Sequence, residues 1–135
     1  MKKFVVIFLS MVALFSILLT ACGGSAGSST ATTSKVTMTD FAFDPKEIVV
    51  SAGKDVSLTI ENKGSVAHDF TVVSKSVTAP FDMEANKADV IFTINVPAGQ
   101  TSTAKFTAPA AGTYQVICAV PGHLEAGMEA KLVAK

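Results

Sequence analysis

Three residues that bind soft metals recur near the C-terminus at even spacing: Cys118, His123 and Met128, each five positions after the last. Pro121-Gly122 and Ala126-Gly127 interrupt the segment between them, which predicts a tight loop that folds back and lets the three side chains converge. The other His, His68, opens a separate segment and shares its inward parity with Phe70 and Val72. One loop and one neighbouring strand thus offer a thiolate, two imidazoles and a thioether. Singly, each has an ordinary use: a His at a strand start is usually a surface residue, a lone inward Cys is a small core hydrophobe, and a Met packs. Together they are the ligands of a copper site built for one-electron transfer, two His and one Cys in a plane with a weak Met beyond it. Structural zinc prefers four strong N or S ligands, often paired Cys, so this is a poor zinc set. Haem attachment needs Cys-x-x-Cys-His, which is absent. A dinuclear copper centre bridged by two thiolates needs a second Cys beside Cys118, and the only other Cys is Cys22.

The elements that position these donors read as strands. Val36 and Met38 alternate with Lys35, Thr37 and Thr39. Ile48 and Val50 lead into the Ala52-Gly53-Lys54-Asp55 turn. Val56, Leu58 and Ile60 alternate with Ser57, Thr59 and Glu61 before the Asn62-Lys63-Gly64 turn. Val90, Phe92, Ile94 and Val96 share one parity and end at Pro97-Ala98-Gly99. Ala104, Phe106 and Ala108 form another set, and Tyr114, Val116 and Cys118 the next, with a last short strand through Leu132. Half-buried strands about every ten residues, punctuated by Gly and Pro, predict an antiparallel sandwich or barrel. Asp82 to Asp89 (DMEANKAD) is the one stretch expected to form a turn or two of helix. It lies in a connection, Ser74 to Asp89, long enough to cross between sheets or cover a site.

Residues Lys35 to Lys135 resemble the cupredoxins, the small blue-copper proteins. The resemblance rests on Phe43-Asp44-Pro45-Lys46-Glu47-Ile48, Ala52-Gly53, Gly64-Ser65-Val66-Ala67-His68-Asp69, Ala111-Gly112-Thr113-Tyr114 and the Cys118 loop. That loop is most similar to those of auracyanins and azurins, with four residues between Cys and His and four between His and Met. It implies an all-β fold, an eight-stranded antiparallel Greek-key β-sandwich, with one type 1 copper ion near one end. It implies His68, Cys118 and His123 as equatorial ligands and Met128 as axial ligand. Two positions depart from the family's habit: Asp69 stands where Asn is common, and Ala119 where Ser or Thr is common. The side-chain hydrogen bond that often joins those positions is therefore lost, while the Asp69 N–H is still expected to reach the Cys118 sulfur. The implied activity is outer-sphere electron transfer, not enzymatic catalysis. The alternative is a carrier or scavenger that delivers copper itself.

Composition and the N-terminus bound the setting. The 135 residues include eleven Lys against eleven acids and no Arg, which argues against nucleic-acid binding. Two Cys cannot make a disulfide scaffold. Lys2 and Lys3 precede Phe4 to Leu19, an apolar run with only Ser10 and Ser16 polar, which reads as a secretory signal and is short for a membrane span. Leu19-Thr20-Ala21-Cys22 resembles a bacterial lipobox, implying cleavage before Cys22 and lipidation there. The expected organisation is a signal peptide over 1–21, lipidated Cys22 and a flexible Gly/Ser/Thr linker over 22–34, and the folded domain over 35–135. The linker reaches at most about 40 Å. The chain is thus expected to be an exported, lipid-anchored monomer facing the periplasm or cell exterior. Redox proteins are its expected partners, docking at an apolar patch of Val120, Pro121, Leu124 and Ala126 around a partly exposed His123 edge.

Overall fold

The computed structural model describes residues 32–135; the expected signal peptide, Cys22 and most of the linker lie outside the described residues. Nine strands follow in chain order: β1 (Thr32–Thr39), β2 (Ala42–Asp44), β3 (Glu47–Val50), β4 (Asp55–Asn62), β5 (His68–Val73), β6 (Val90–Val96), β7 (Thr101–Thr107), β8 (Gly112–Ile117) and β9 (Glu129–Ala134). They form a four-stranded sheet, β2-β1-β4-β7, and a five-stranded sheet, β3-β9-β8-β5-β6. The fold is all-β, as the period-two pattern requires.

The core lies between the sheets. Val36, Met38, Val56, Leu58 and Ile60 enter it from the first sheet, and Phe70, Val72, Val116 and Leu132 from the second. The alternation along β4 is the cleanest case: Val56, Leu58, Ile60 and Asn62 are buried, and the residues between them are not. A run of aromatic contacts ties four strands together. Phe43 meets Phe70 edge-on at 5.8 Å, Phe70 meets Phe92 at 6.5 Å, and Phe92 stacks on Phe106 at 4.5 Å. The last pair joins β6 to β7, the edge strands of the two sheets, and closes that side of the sandwich. On β8, the Tyr114 hydroxyl donates to the Ala110 carbonyl at 2.9 Å, a tyrosine-corner contact that pins the turn before the strand.

The strand inventory differs from the eight antiparallel strands expected. There are nine among the described residues, and two pairs are parallel, β1 with β4 and β3 with β9. Side-chain alternation reports which face is buried and carries no mark of strand direction. β2 is three residues long and follows a turn without Gly or Asn, so no turn signal announced it. β1 begins at Thr32, three residues before the expected domain start at Lys35, because Thr32 to Ser34 pair with Val56 to Leu58. That pairing uses backbone groups and needs no apolar side chain. The segment expected to be helical forms a turn over residues 83–86 and one 3₁₀ turn, Lys87–Asp89. The Asp82 carboxylate accepts from the N–H groups of Glu84 and Ala85, the local competition that suits Asp to turns.

Candidate metal centre

Topology brings the donors to one end of the molecule. β5 and β8 are antiparallel neighbours, with Thr71 opposite Ile117, so the first residue of β5 and the residue after β8 lie at the same end. These are His68 and Cys118. β8 and β9 are also antiparallel, with Ile117 opposite Glu129, so the loop from Cys118 to Met128 spans that end. The loop is closed by its own backbone. Met128 N–H donates to His123 O at 3.0 Å, Cys118 N–H to Met128 O at 3.2 Å, and His123 N–H to Val120 O at 3.1 Å. Gly122 and Gly127 each take a φ of 85°, which a side chain would resist. Met128 is fully buried.

His68 is delivered by the connection from β4, and Asn62 holds that connection. Asn62 is buried, its amide donating to Val66 O at 2.8 Å and Val96 O at 2.9 Å while its carbonyl accepts from Gly64 N–H at 2.8 Å. The residue that the sequence marked as part of a turn is thus the polar staple that sets where β5 begins.

His68, Cys118 and His123 are all buried and converge. The two Nδ1 atoms are 3.1 Å apart, His123 Nδ1 is 3.3 Å from Cys118 Sγ, and His68 Nδ1 is 3.8 Å from it. A point equidistant from these three atoms lies about 2.0 Å from each, close to the roughly 2.0 Å nitrogen and 2.3 Å sulfur bonds of a first-row metal. Two imidazoles and one thiolate in a plane fit copper. The residues present therefore fit the ion that the sequence pattern calls for.

The surroundings bias the donors. Burial pushes the Cys118 thiol above its ordinary 9.0, opposed by the Asp69 and Val120 N–H groups, which favour the thiolate. The Asp69 N–H reaches Sγ at 3.3 Å, as expected. The Asp69 carboxylate instead accepts from the Asn95 amide at 2.7 Å. Burial, and then the neighbouring His68, hold His123 below its ordinary 6.5. His123 retains 9% of its surface, a smaller opening than the partly exposed edge that was expected. Val120 and Leu124 beside it are half-buried, and Pro121 and Ala126 are exposed.

Two residues that sequence reasoning passed over, Asp40 and Phe41, and two that it read only as turn and motif residues, Asn62 and Gly64, belong to this end. Asp40 Oδ1 lies 3.2 Å from His68 Nε2. The Phe41 ring meets the His123 ring edge-on at 5.2 Å. Asn62 and Gly64 shape the approach to His68. Nothing in their spacing links residues 40 and 41 to residues 68 and 123; only the β1–β2 hairpin, itself unsignalled, brings them there.

Comparison with known proteins agrees with this geometry. The Cupredoxin-like domain family matches residues 10–134. Auracyanin-A of Chloroflexus aurantiacus is 34% identical over 110 residues, covering 70% of this chain and 67% of that protein. The copper-resistant cuproprotein CopI of Rubrivivax gelatinosus is 30% identical over 112 residues, covering 76% of this chain and 66% of that protein, so the chain spans just under two thirds of it. A dithionite-reduced auracyanin from the photosynthetic bacterium Roseiflexus castenholzii superposes with a TM-score of 0.67 at 28% identity, over 78% of this chain and 98% of that one. With a buried His-Cys-His triangle at one end of a two-sheet sandwich, this chain belongs to the cupredoxin-like family.

Proposed function

We propose that this chain is a membrane-tethered, mononuclear blue-copper protein that shuttles single electrons between redox partners outside the cytoplasm. The carrying observation is the buried triangle of His68, His123 and Cys118, offered from the start of β5, the end of β8 and the loop that follows it. Met128, buried in the same loop, is the proposed axial ligand. Copper bound by these residues supplies a one-electron Cu(I)/Cu(II) couple. The chain's own contribution is to hold the donors in one arrangement for both oxidation states, so that little has to move when an electron passes. The Asp69 N–H stabilises charge on the Cys118 sulfur. No second metal-binding cluster of His, Cys, Asp and Glu occurs among the described residues.

Electrons enter and leave through the exposed edge of His123, and the apolar patch of Val120, Pro121, Leu124 and Ala126 is the proposed docking surface. Docking there is weak and brief, as redox encounters are. Lipid on Cys22 keeps the domain near a bacterial membrane, and the domain acts as a monomer. Similarity to a copper-resistance protein supports the alternative of a carrier that delivers the ion itself. Voltammetry separates the two. The electron-carrier reading expects reversible cycling with copper retained; release of copper on reduction would replace it with the delivery reading.

A further inference from the structure

Thr39 pairs with Ala42, so Asp40 and Phe41 are the whole turn between β1 and β2. Asp40 is an ordinary turn residue, but Phe41 is a costly one. Phe41 has a φ of 64°, left-handed backbone that favours Gly or Asn and that a bulky side chain resists. It is also 49% exposed. Neither hairpin formation nor core packing accounts for a half-exposed aromatic on strained backbone. Such outliers persist where the surroundings over-determine them, often at functional sites.

The turn touches both histidines of the metal centre. Phe41 lies edge-on to His123 at 5.2 Å with an interplanar angle of 76°. Asp40 Oδ1 faces His68 Nε2 at 3.2 Å and also accepts from the Ser65 N–H at 2.9 Å, while Asp40 Oδ2 accepts from the Ser65 hydroxyl at 2.9 Å. The carboxylate is thus anchored before it meets the imidazole. Gly64 carries the second sign of a built contact. A side-chain carbon there would stand 2.5 Å from His68 Nε2 and 2.6 Å from Asp40 Oδ1, and Gly64 is not among the left-handed glycines. Glycine is needed at this position by the Asp40–His68 contact and not by its backbone.

We propose that the Asp40–Phe41 turn is a clamp on both histidine ligands: Asp40 orients His68 and places a carboxylate against it, Phe41 covers His123, and the turn thereby sets the centre's reduction potential and its closure to outside ligands. The inference rests on the copper reading above. A carboxylate that accepts the Nε2 proton fixes His68 in the tautomer whose Nδ1 lone pair faces Cys118. It also raises the basicity of that nitrogen, which favours the more highly charged metal state. Phe41 and Asp40 are positioning residues; neither is a ligand.

The test has three arms. Nitrogen-15 NMR of the metal-free protein reads the His68 tautomer, and this arm holds whether or not copper binds. Protonated Nε2 in the wild type, with its signal shifted in Asp40→Ala, is expected; protonated Nδ1 in the wild type overturns the clamp. In the copper-loaded protein, Asp40→Asn keeps an acceptor for Ser65 but removes the charge. Its redox equilibrium is expected to move about tenfold toward Cu(I), equivalent to about 59 mV upward for one electron. An unchanged potential overturns the role of Asp40. Phe41→Ala is expected to admit azide, seen as a change in the visible spectrum at concentrations that leave the wild type unaltered, and Phe41→Leu to exclude it. Equal exclusion by Phe41→Ala and wild type overturns the role of Phe41. Either loss refutes the clamp.

Discussion

Cys118 and His123 carry opposite shifts for one reason: burial penalises the charged form of each. In the metal-free protein this makes stability fall at both ends of the pH scale. His123 is held below 6.5, so as pH falls through that value the unfolded chain takes up a proton the folded chain resists, and stability drops. Cys118 is held above 9.0, so as pH rises through that value the unfolded chain releases its proton first, and stability drops again. Denaturant midpoints across pH 5 to pH 10 should trace this dome, and a flat profile would contradict it. Asp69 offers a second test. Its carboxylate belongs to the residue whose N–H bonds the ligand sulfur, so an ionised Asp69 favours Cu(II). Asp69→Asn is expected to raise the reduction potential in voltammetry; no rise would count against that role. At this scale the three converging donors were legible, because Cys118 and His123 stand close together in one Gly- and Pro-punctuated loop and His68 shares a strand parity. The residues that contact them were not. Asp40 and Phe41 come from a distant segment, and their types are ordinary in a turn or on a surface.

Among the elements, the strands with one buried face declared themselves. β1 shows it in Val36 and Met38, and β4 in Val56, Leu58 and Ile60. What stayed hidden was whatever side-chain pattern does not record: the parallel sense of β1 with β4, the three-residue β2, and the extension of β1 back to Thr32. Asn62 shows the same limit from the other side. It has the alternation of a core position and the chemistry of a turn residue, and it does both tasks, buried in β4 while stapling the next connection. Asn62→Ala leaves the Gly64 N–H and the Val66 and Val96 carbonyls without this partner. It should cost about 2 kcal/mol or more of stability, seen as a lower denaturant midpoint at unchanged slope. Thr59→Ala removes only an exposed hydroxyl pair with Thr103 and should stay within about 0.5 kcal/mol of wild type. Equal effects of the two changes would remove Asn62 from its place as a staple.

For the whole molecule, the two-sheet sandwich is a rigid frame with its chemistry at one end. There, β5 starts, β8 stops, and the β1–β2 and β4–β5 connections meet. The exposed apolar surface at that end includes Phe41 and extends to Val66, 48% exposed, both beyond the patch read from the ligand loop alone. If partners dock there, Leu124→Glu or Ala126→Lys should slow electron exchange with a redox partner while leaving the visible spectrum as it is. Exchange at the wild-type rate would put the electron port elsewhere. Every such test presumes that Cys118 is a copper thiolate, and one titration addresses that directly. Adding Cu(II) to the metal-free protein should produce an intense visible band from thiolate-to-copper charge transfer that saturates at one ion per chain and is absent in Cys118→Ser. No band, or one that survives the loss of Cys118, would contradict the account.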